Sequence, residues 1–466
     1  MTNCQPLQSI KKTTRQASVF RLWAACALLT ALSACAVVQP QLATLYKTSD
    51  SSTGQSPVIL VHGAFGGRLC NEKGEEYWPG SLSKILWGDY GTLALPTPGP
   101  GPEESLAPLT NCGLTDTVVG TDFYGEIENT LTGVGGYHLT EPGATVTGTQ
   151  RRYYRFTYDW RQDNSSTAAK LDTLVDQIRI DHGDNDLRVD IVAHSMGGLV
   201  TRYWLRYGKT DVLNSNDFQP NNSGAAKARK VILVGTPNLG SNSALQQILT
   251  GAEFGTNTVE PEVLLTFPSA YQLMPHPIVD SVLGSTGEPL NRDIFDLAMW
   301  RALELGPFDS RIRERLVSRG WSEQQISEFA QYVGTQLERA RRFVWSLTVR
   351  NTDAAHQLIV FGGDCVATPA RILIEDIDDQ SHVRLWPKEV AQPHPGIDYE
   401  SLMLEPGDGA VTKASLLART ALDPSIPRHR YSDFPLDYSV MFCGDHTDLP
   451  GNLTFQDNLL HILLSR

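Results

Sequence analysis

A serine held between an apolar strand and a small-residue helix start is the most constraining feature of the sequence. The segment reads Asp190-Ile-Val-Ala-His-Ser195-Met-Gly-Gly-Leu-Val-Thr-Arg-Tyr-Trp. Its first half predicts a buried strand and its second half predicts a helix. Ala193 and Gly197, two positions before and after the serine, are small, as a sharp turn requires because larger side chains would clash there. The pattern predicts a nucleophile elbow that exposes the Ser195 hydroxyl, with a chance glycine-rich turn as the alternative.

Three further apolar runs resemble this strand, at residues 57–61, 230–234 and 357–361. Continuous apolar runs are typical of strands that are buried on both faces of a parallel sheet. Between the first run and the elbow strand, residues 168–180 carry apolar side chains at helical spacing. Strands that alternate with helices predict an α/β protein whose mostly parallel central sheet is flanked by helices.

The length of 466 residues by itself indicates two or three domains. The strand pattern instead indicates one domain over 56–466, enlarged by cap or lid insertions at about 66–150 and 250–345. The first insertion is rich in Gly, Pro and Thr, whereas 289–345 has helical periodicity. The helices of 289–345 form either a cap over the sheet or a surface helix pair with no role in the site.

The charge balance excludes one broad class of function. The chain has 39 Lys+Arg against 52 Asp+Glu, a net charge of −13. Proteins that bind nucleic acid normally neutralise phosphates with Lys and Arg. We therefore expect no nucleic-acid partner.

The first 34 residues have the pattern of an export signal. Four basic residues and no acidic ones precede a short apolar stretch, Leu22 to Leu32, which is too short to span a bilayer. The stretch ends in Leu-Ser-Ala-Cys35, which resembles the lipobox of bacterial lipoproteins and implies lipidation of Cys35 after cleavage. Cleavage near Ala34 as an ordinary signal peptide is the alternative. Residues 35–55 then form a flexible tether, and we expect an exported protein of the bacterial cell envelope, anchored to the membrane by lipid.

Four cysteines remain after the leader and Cys35 are set aside: Cys70, Cys112, Cys365 and Cys443. An exported chain folds in an oxidising compartment, which favours disulfides over free buried thiols. Sequence order favours the pairs Cys70–Cys112 and Cys365–Cys443, because each pair lies within one half of the chain.

Three motifs together resemble a known family. His194-Ser-Met-Gly-Gly is similar to bacterial lipases and other α/β hydrolases, and Tyr158-Asp-Trp-Arg and Gly235-Thr-Pro-Asn-Leu-Gly are similar to a narrower group. That group comprises lecithin:cholesterol acyltransferase, lysosomal phospholipase A2 and their bacterial relatives. The resemblance implies an α/β-hydrolase fold and a serine-dependent enzyme that hydrolyses or transfers lipid acyl esters. His62-Gly63 departs from the acyltransferases, which tend to have Pro-Gly there, toward the bacterial lipase form.

A serine nucleophile needs a general base and a carboxylate to orient that base, and their order in this fold is Ser, Asp, His. The segment Glu405-Pro-Gly-Asp408-Gly is similar to the acid loop of the family, and it precedes His446. We therefore expect Ser195, Asp408 and His446 to be the catalytic residues. Asp364 after a strand is the alternative acid, and the competing downstream histidines are His276, His356, His382, His394, His429 and His461.

The backbone amides of Ala64 and Met196 are the expected oxyanion hole, because this fold combines the amide after the nucleophile with one from the loop of the first strand. We expect Phe65 and Trp160 at the substrate pocket, and a buried Asp159–Arg161 pair that braces the loop. No metal-ligand spacing or cofactor motif occurs in the sequence, so neither a metal nor a cofactor is expected.

The expected substrate is a lipid ester, either a phospholipid or an acylglycerol, with an alcohol or sterol as an acceptor where transfer occurs. Two alternatives remain at this point. One is a catalytically silent envelope lipoprotein with a binding role, because fold alone does not establish activity. The other is an amidase or peptidase that uses the same three residues.

Overall fold

The fold is taken from a computed structural model. It describes residues 41–46, 55–81, 84–85, 88–97, 108–115, 117–118, 121–122, 124–215, 217–349, 351, 356–418 and 434–465. The export signal, Cys35 and most of the tether lie outside the described residues. The chain divides into two compact units, Met1–Leu45 and Tyr46–Arg466. The described part of the first unit contains the short helix Leu42–Leu45, and all further description concerns the second.

A parallel sheet of seven strands forms the centre of the second unit, in the order β7-β6-β5-β4-β1-β3-β2. The strands are β1 (Val58–Val61), β2 (Tyr137–Leu139), β3 (Arg151–Phe156), β4 (Val189–His194), β5 (Ala228–Val234), β6 (Gln357–Gly363) and β7 (Tyr438–Phe442). The four strands expected from apolar runs are β1, β4, β5 and β6, which are neighbours in the middle of this sheet. The expected α/β-hydrolase fold is therefore confirmed.

Strand β1 is apolar along its whole length because both faces of the sheet are covered. In β1, Ile59 and Val61 belong to one buried cluster, whereas Val58 and Leu60 belong to the other. Helices α1 (Asn164–His182) and α2 (Met196–Tyr207) pack on the first face, and α7 (Leu453–Leu464) packs on the second. Burial on both faces favours this arrangement at about 25 cal/mol per Å² of apolar surface removed from water.

The segment 66–150, expected as an irregular insertion, contains more regular structure than its composition indicated. Its last part contributes β2 to the edge of the central sheet. A separate small sheet is formed by Gly67–Cys70, Glu76–Trp78 and Thr110–Leu114, and the Cys70–Cys112 disulfide joins two of its strands. Isolated short strands carry too little periodicity to be recognised among Gly, Pro and Thr residues.

Helical structure dominates residues 289–345 of the second insertion, as the periodicity of that segment indicated. After α3 (Asn242–Thr250) come α4 (Leu297–Ala302), α5 (Ser310–Ser318) and α6 (Glu323–Ser346). Helix α6 begins at a capping box formed by Ser322 and Gln325. It packs against α2, where the rings of Phe343 and Tyr203 stack 5.6 Å apart.

The remaining elements are short. The other strands are Thr117–Val118, Thr121–Asp122, Ala252–Phe254, Asn257–Val259, Val282–Gly284, Val366–Pro369, Ile372–Ile377, Gln380–Arg384 and Leu404–Gly407. The other α-helices of this unit are Gly125–Asn129, Pro261–Leu264, Pro268–Tyr271, Tyr399–Met403 and Lys413–Leu417.

Two disulfides link the cysteines in the pairs expected from sequence order, Cys70–Cys112 and Cys365–Cys443. Such bonds agree with an exported protein. Among the helices that the structure describes, none combines the length and apolarity needed to cross a bilayer.

Candidate active site

Ser195 lies at the turn between the end of β4 and the start of α2. Its backbone has φ of 54° and ψ of −127°, a strained conformation for a residue with a side chain. The turn is tight enough that a Cβ on Gly197 would clash with the carbonyl of His62. The small residue at this position is therefore a steric requirement, and the turn places Ser195 at the carboxyl end of the sheet.

Ser195, His446 and Asp408 lie in one chain of hydrogen bonds, although 38 and 251 positions separate the bonded pairs in sequence. Ser195 Oγ is 2.8 Å from His446 Nε2, and His446 Nδ1 is 2.8 Å from Asp408 Oδ2. The Asp408 carboxylate can only accept, so the proton lies on His446 Nδ1. Nε2 is then the acceptor for the Ser195 hydroxyl. This is the arrangement that a general base needs to remove the Ser195 proton.

The electrostatics of the pair favour a basic histidine. Burial lowers the pKa of His446, but the charge of Asp408 and its hydrogen bond outweigh this effect and hold that pKa above its usual value of 6.5. Burial raises the pKa of Asp408, and the nearby His446 together with the amides of Val411 and Ala410 reverses the shift to a lowered pKa. Asp408 is therefore an anion wherever His446 titrates.

The alternative acid and bases lie elsewhere. Asp364 forms an ion pair of 2.9 Å with Lys413. His276 is buried and hydrogen-bonds Thr348, and His394 hydrogen-bonds Ser285. In the described part of the chain, His446 is the histidine that hydrogen-bonds both Ser195 and Asp408, while His429 lies outside that part.

Two backbone amides beside Ser195 are free to bind an anion. Within the described residues, neither Ala64 N–H nor Met196 N–H donates a hydrogen bond to a protein acceptor. Met196 is the first residue of α2, so the positive end of the helix dipole is also at this point. The turn after β1, which contains Ala64, lies close to Ser195, since a Cβ on Gly63 would come within 2.7 Å of Ser195 Cβ.

An apolar cavity of about 290 Å³ opens beside Ser195 and His446. Phe65 and Trp160 both line it, and their rings pack 4.4 Å apart. Phe65 has a positive φ of 60°, and its carbonyl accepts a hydrogen bond from the Trp78 indole. The strained turn is thus held by aromatic packing and by hydrogen bonds at the edge of this cavity.

The outer wall of this cavity comes from residues 241–273, within and just ahead of the second insertion. Helices α4 to α6 contribute no lining residue to it in the described part of the chain. Two of them support the wall from behind: Arg315 of α5 binds Glu262 at 2.8 Å, and the Tyr332 hydroxyl of α6 donates to the Thr266 carbonyl.

The Asp159–Arg161 pair, in which Arg161 is buried and Asp159 is partly buried, braces the loop after β3. The guanidinium of Arg161 binds Asp159 at 2.8 Å and donates to the carbonyls of Leu93 and Leu109. It therefore connects this loop to the first insertion. Among the described residues, no group of three or more His, Cys, Asp or Glu could hold a metal ion.

Two residues beside the site were not singled out from the sequence. Tyr124 accepts a hydrogen bond from Gly63 N–H at 2.8 Å, and its hydroxyl lies 3.1 Å from His194 Nδ1. His194 was visible as the neighbour of Ser195, and no sequence signal connected it with Tyr124, 70 residues earlier.

The comparisons with known proteins fit this geometry. Residues 146–300 match the lecithin:cholesterol acyltransferase family. The match confirms the resemblance inferred from the motifs, and it includes Ser195 but ends before Asp408 and His446. It supports an enzyme that hydrolyses or transfers acyl esters. No curated protein matches the sequence at a significant level.

Several solved structures are similar to the chain. A chain of the Tle4–Tli4 complex has a TM-score of 0.56 at 13% identity, with 89% of this chain and 98% of that chain covered. The lipase BlEst2 of Bacillus licheniformis in its mature form has a TM-score of 0.34 at 12% identity, covering 90% and 95%. Lipase 1 of Pelosinus fermentans has a TM-score of 0.35 at 13% identity, covering 89% and 100%. At such low identity, the first likeness shows the fold alone.

Proposed function

We propose that this chain is a serine-dependent acyl-ester hydrolase or O-acyltransferase that acts on lipid esters through Ser195, His446 and Asp408. The observation that carries the proposal is the hydrogen bond of 2.8 Å between Ser195 Oγ and His446 Nε2, at the wall of an apolar cavity. A nucleophile, its base and an apolar space for a substrate therefore lie together.

The first half of the reaction forms an acyl-enzyme. Ser195 Oγ attacks the ester carbonyl carbon while its proton passes to His446 Nε2, and Asp408 stabilises the imidazolium. The carbonyl oxygen becomes an oxyanion and accepts hydrogen bonds from the Ala64 and Met196 amides, which are free to donate. His446 then gives its proton to the leaving alkoxide, the C–O bond breaks, and the acyl group remains on Ser195.

The second half repeats these steps with a new nucleophile. His446 Nε2 takes a proton from water or from an alcohol, whose oxygen attacks the acyl carbon, and the proton returns to Ser195 Oγ as the ester bond to the enzyme breaks. Water gives a fatty acid, and an alcohol or sterol gives a new ester. No metal or cofactor takes part in this sequence of steps.

The lining of the cavity supports a lipid acyl group as the part of the substrate that it holds. Aromatic and aliphatic side chains predominate, and they include Phe65, Trp160, Ile248, Phe254, Leu264, Phe267 and Leu273. An acyl chain leaves water for such a cavity with a gain of about 0.8 kcal/mol per buried CH₂. A phospholipid or an acylglycerol is the proposed donor.

A fluorophosphonate probe tests the nucleophile. The wild type is expected to be labelled at neutral pH, and Ser195→Ala is expected to remain unlabelled. Ser318→Ala, an exposed serine on α5, serves as the matched control and should be labelled like the wild type. Absence of labelling in the wild type would favour a binding protein with this fold, and equal labelling of Ser195→Ala would place the nucleophile elsewhere.

Product analysis separates the reaction classes. The protein is incubated with phospholipid vesicles with and without a sterol, and free fatty acid and sterol ester are both measured. Fatty acid alone identifies a hydrolase, and sterol ester identifies a transferase. Turnover of a peptide or amide in place of either ester would overturn the lipid-ester proposal in favour of an amidase or peptidase.

We propose in addition that the chain is exported and lipidated at Cys35. The support is the sequence of the first 35 residues, together with the two disulfides of the described domain. Labelling with a radioactive fatty acid in a bacterial host tests it: Cys35→Ser should lose the label. Cys26→Ser, a change within the leader, is the control and should keep it. Retention of the label in Cys35→Ser would refute the assignment.

A further inference from the structure

A buried hydrogen-bond relay connects the loop of the expected oxyanion hole to the loop of the general base. Gly63 N–H donates to the Tyr124 hydroxyl at 2.8 Å, and that hydroxyl lies 3.1 Å from His194 Nδ1. On the other side of the ring, His194 Nε2 lies 3.1 Å from the carbonyl oxygen of His446. The relay therefore connects Gly63, which precedes Ala64, to the backbone of His446. It passes through the side chains of Tyr124 and His194, and His194 directly precedes Ser195.

The direction of each bond follows from the chemistry of its partners. A carbonyl oxygen can only accept, so His194 Nε2 carries the proton and donates to His446. Nδ1 of a neutral imidazole is then an acceptor, and the Tyr124 hydroxyl donates to it. Burial, together with the nearby His446, lowers the pKa of His194 to about 3. His194 is therefore neutral near neutral pH, and its hydrogen bond to the His446 carbonyl favours this tautomer.

The relay fixes groups whose positions the reaction depends on. His446 is held through its N–H by the Asp408 carbonyl at 2.8 Å, through its ring by the Asp408 carboxylate, and through its own carbonyl by His194. Gly63 directly precedes Ala64, and the Tyr124 hydroxyl fixes the position of the Gly63 N–H. The polar atoms of Tyr124 and His194 bind protein groups at these points and do not bind Ser195 Oγ.

We propose that Tyr124 and His194 are positioning residues. They hold the Ala64 amide and the His446 base in the positions that the reaction requires, on the two sides of Ser195. The inference rests on the proposed function, because it assigns these residues a role in that reaction. Both residues line the cavity, but their polar atoms are hydrogen-bonded to each other, to Gly63 N–H and to the His446 carbonyl, and their effect is exerted through these two groups.

The test is Tyr124→Phe, which removes one oxygen atom and keeps the buried ring. It leaves Gly63 N–H and His194 Nδ1 without the hydroxyl that both contact. Tyr203→Phe is the matched control: Tyr203 is also buried, and its hydroxyl likewise accepts a backbone N–H, from Val212, and donates to an acceptor, the Thr210 carbonyl. Both variants lose equivalent bonds, but Tyr203 does not border the cavity.

The measurements are kcat and KM on a soluble ester, the rate of fluorophosphonate labelling, and the melting temperature. We expect similar melting temperatures for the two variants. Tyr124→Phe should lose roughly 10- to 100-fold in kcat and in labelling rate, as for one or two misplaced hydrogen bonds, with little change in KM. Equal kcat values for Tyr124→Phe and Tyr203→Phe would overturn the inference. A wild type that neither hydrolyses esters nor reacts with the probe would instead overturn the proposed function.

A second measurement tests the relay in the wild type without an activity assay. Nitrogen-15 NMR of histidine-labelled wild type, with the His194 signals assigned by their loss in His194→Gln, reports the tautomer directly. The relay requires a neutral ring protonated at Nε2 that does not titrate down to about pH 5. A ring protonated at Nδ1, or one that titrates near its ordinary pKa of about 6.5, would overturn the inference.

Discussion

Asp408 holds His446 at two points, since its carboxylate lies 2.8 Å from His446 Nδ1 and its backbone carbonyl accepts His446 N–H at 2.8 Å. One contact orients the ring and the other fixes the loop that carries it. The same carboxylate accepts the amides of Ala410 and Val411 through its second oxygen. The acid is therefore fixed by its own loop before it orients the base.

Replacing the Asp408 carboxylate should change its contact with the His446 ring and leave the backbone contact in place. Asp408→Asn keeps the backbone bond and the shape of the side chain, but an amide can present a donor to His446 Nδ1 and so favours the wrong tautomer. We expect kcat to fall by about 10³- to 10⁴-fold on a soluble ester, as in other serine enzymes, with a smaller change in KM. Asp364→Asn is the control, because Asp364 binds Lys413 and should leave kcat within about threefold.

The pH profile should report the raised pKa of His446. The base acts only when it is neutral, so activity is lost as pH falls through that pKa. Because Asp408 holds the pKa above 6.5, kcat/KM should have its acid midpoint above pH 6.5. Asp408→Asn removes the negative charge and should move the midpoint to lower pH. A profile with the same midpoint in both proteins would contradict the assigned pair.

The sequence was most informative where chemistry and fold impose the same local pattern. The elbow at Ser195 needs an apolar strand, small neighbours and a helix within a few residues, and all of these are visible locally. The strands β1, β4, β5 and β6 were visible because they are buried on both faces. Strand β2 was not, because its three residues lie at the sheet edge, and only Tyr137 among them is buried.

The cavity beside Ser195 illustrates what the sequence could not specify. Its outer wall comes from residues 241–273, whereas helical periodicity drew attention to 289–345. Both segments have buried faces, and periodicity does not tell which surface a helix covers. Tyr124 was missed for a related reason: its contacts with Gly63 and His194 span 61 and 70 positions.

Filling the cavity from α3 should change the preference for acyl chain length. Ala244 lines the cavity, and Ala244→Leu adds three carbon atoms to this space while keeping a good helix former. We expect kcat/KM for a hexadecanoyl ester to fall about 10- to 100-fold, and that for an acetyl ester to change little.

The control for this change is the same substitution at a helical site remote from the cavity. Ala169→Leu on the half-exposed side of α1 should leave the ratio of the two kcat/KM values as in the wild type. An unchanged ratio in Ala244→Leu would mean that the acyl chain lies outside this cavity.

Removal of either disulfide should lower stability to a similar extent, but only one removal should lower activity. Cys365–Cys443 links the loop after β6 to the loop after β7, and Cys443 precedes His446 by three residues. Cys70–Cys112 joins strands of the small sheet in the first insertion. The closed segments span 78 and 42 positions, so either bond should stabilise the domain by about 4 kcal/mol in the chain-entropy model.

Removing either bond by a double Cys→Ser change should therefore lower the melting temperature by a similar amount. Below both transitions, loss of Cys365–Cys443 should also lower kcat by roughly tenfold, because the loop that carries His446 loses its tether to the sheet. Loss of Cys70–Cys112 should leave kcat within about threefold, because that bond anchors neither Asp408 nor His446. Melting curves and kcat at a temperature at which both variants are folded give the comparison. Equal kcat values in the two variants would mean that the Asp408 contacts alone hold His446 in place.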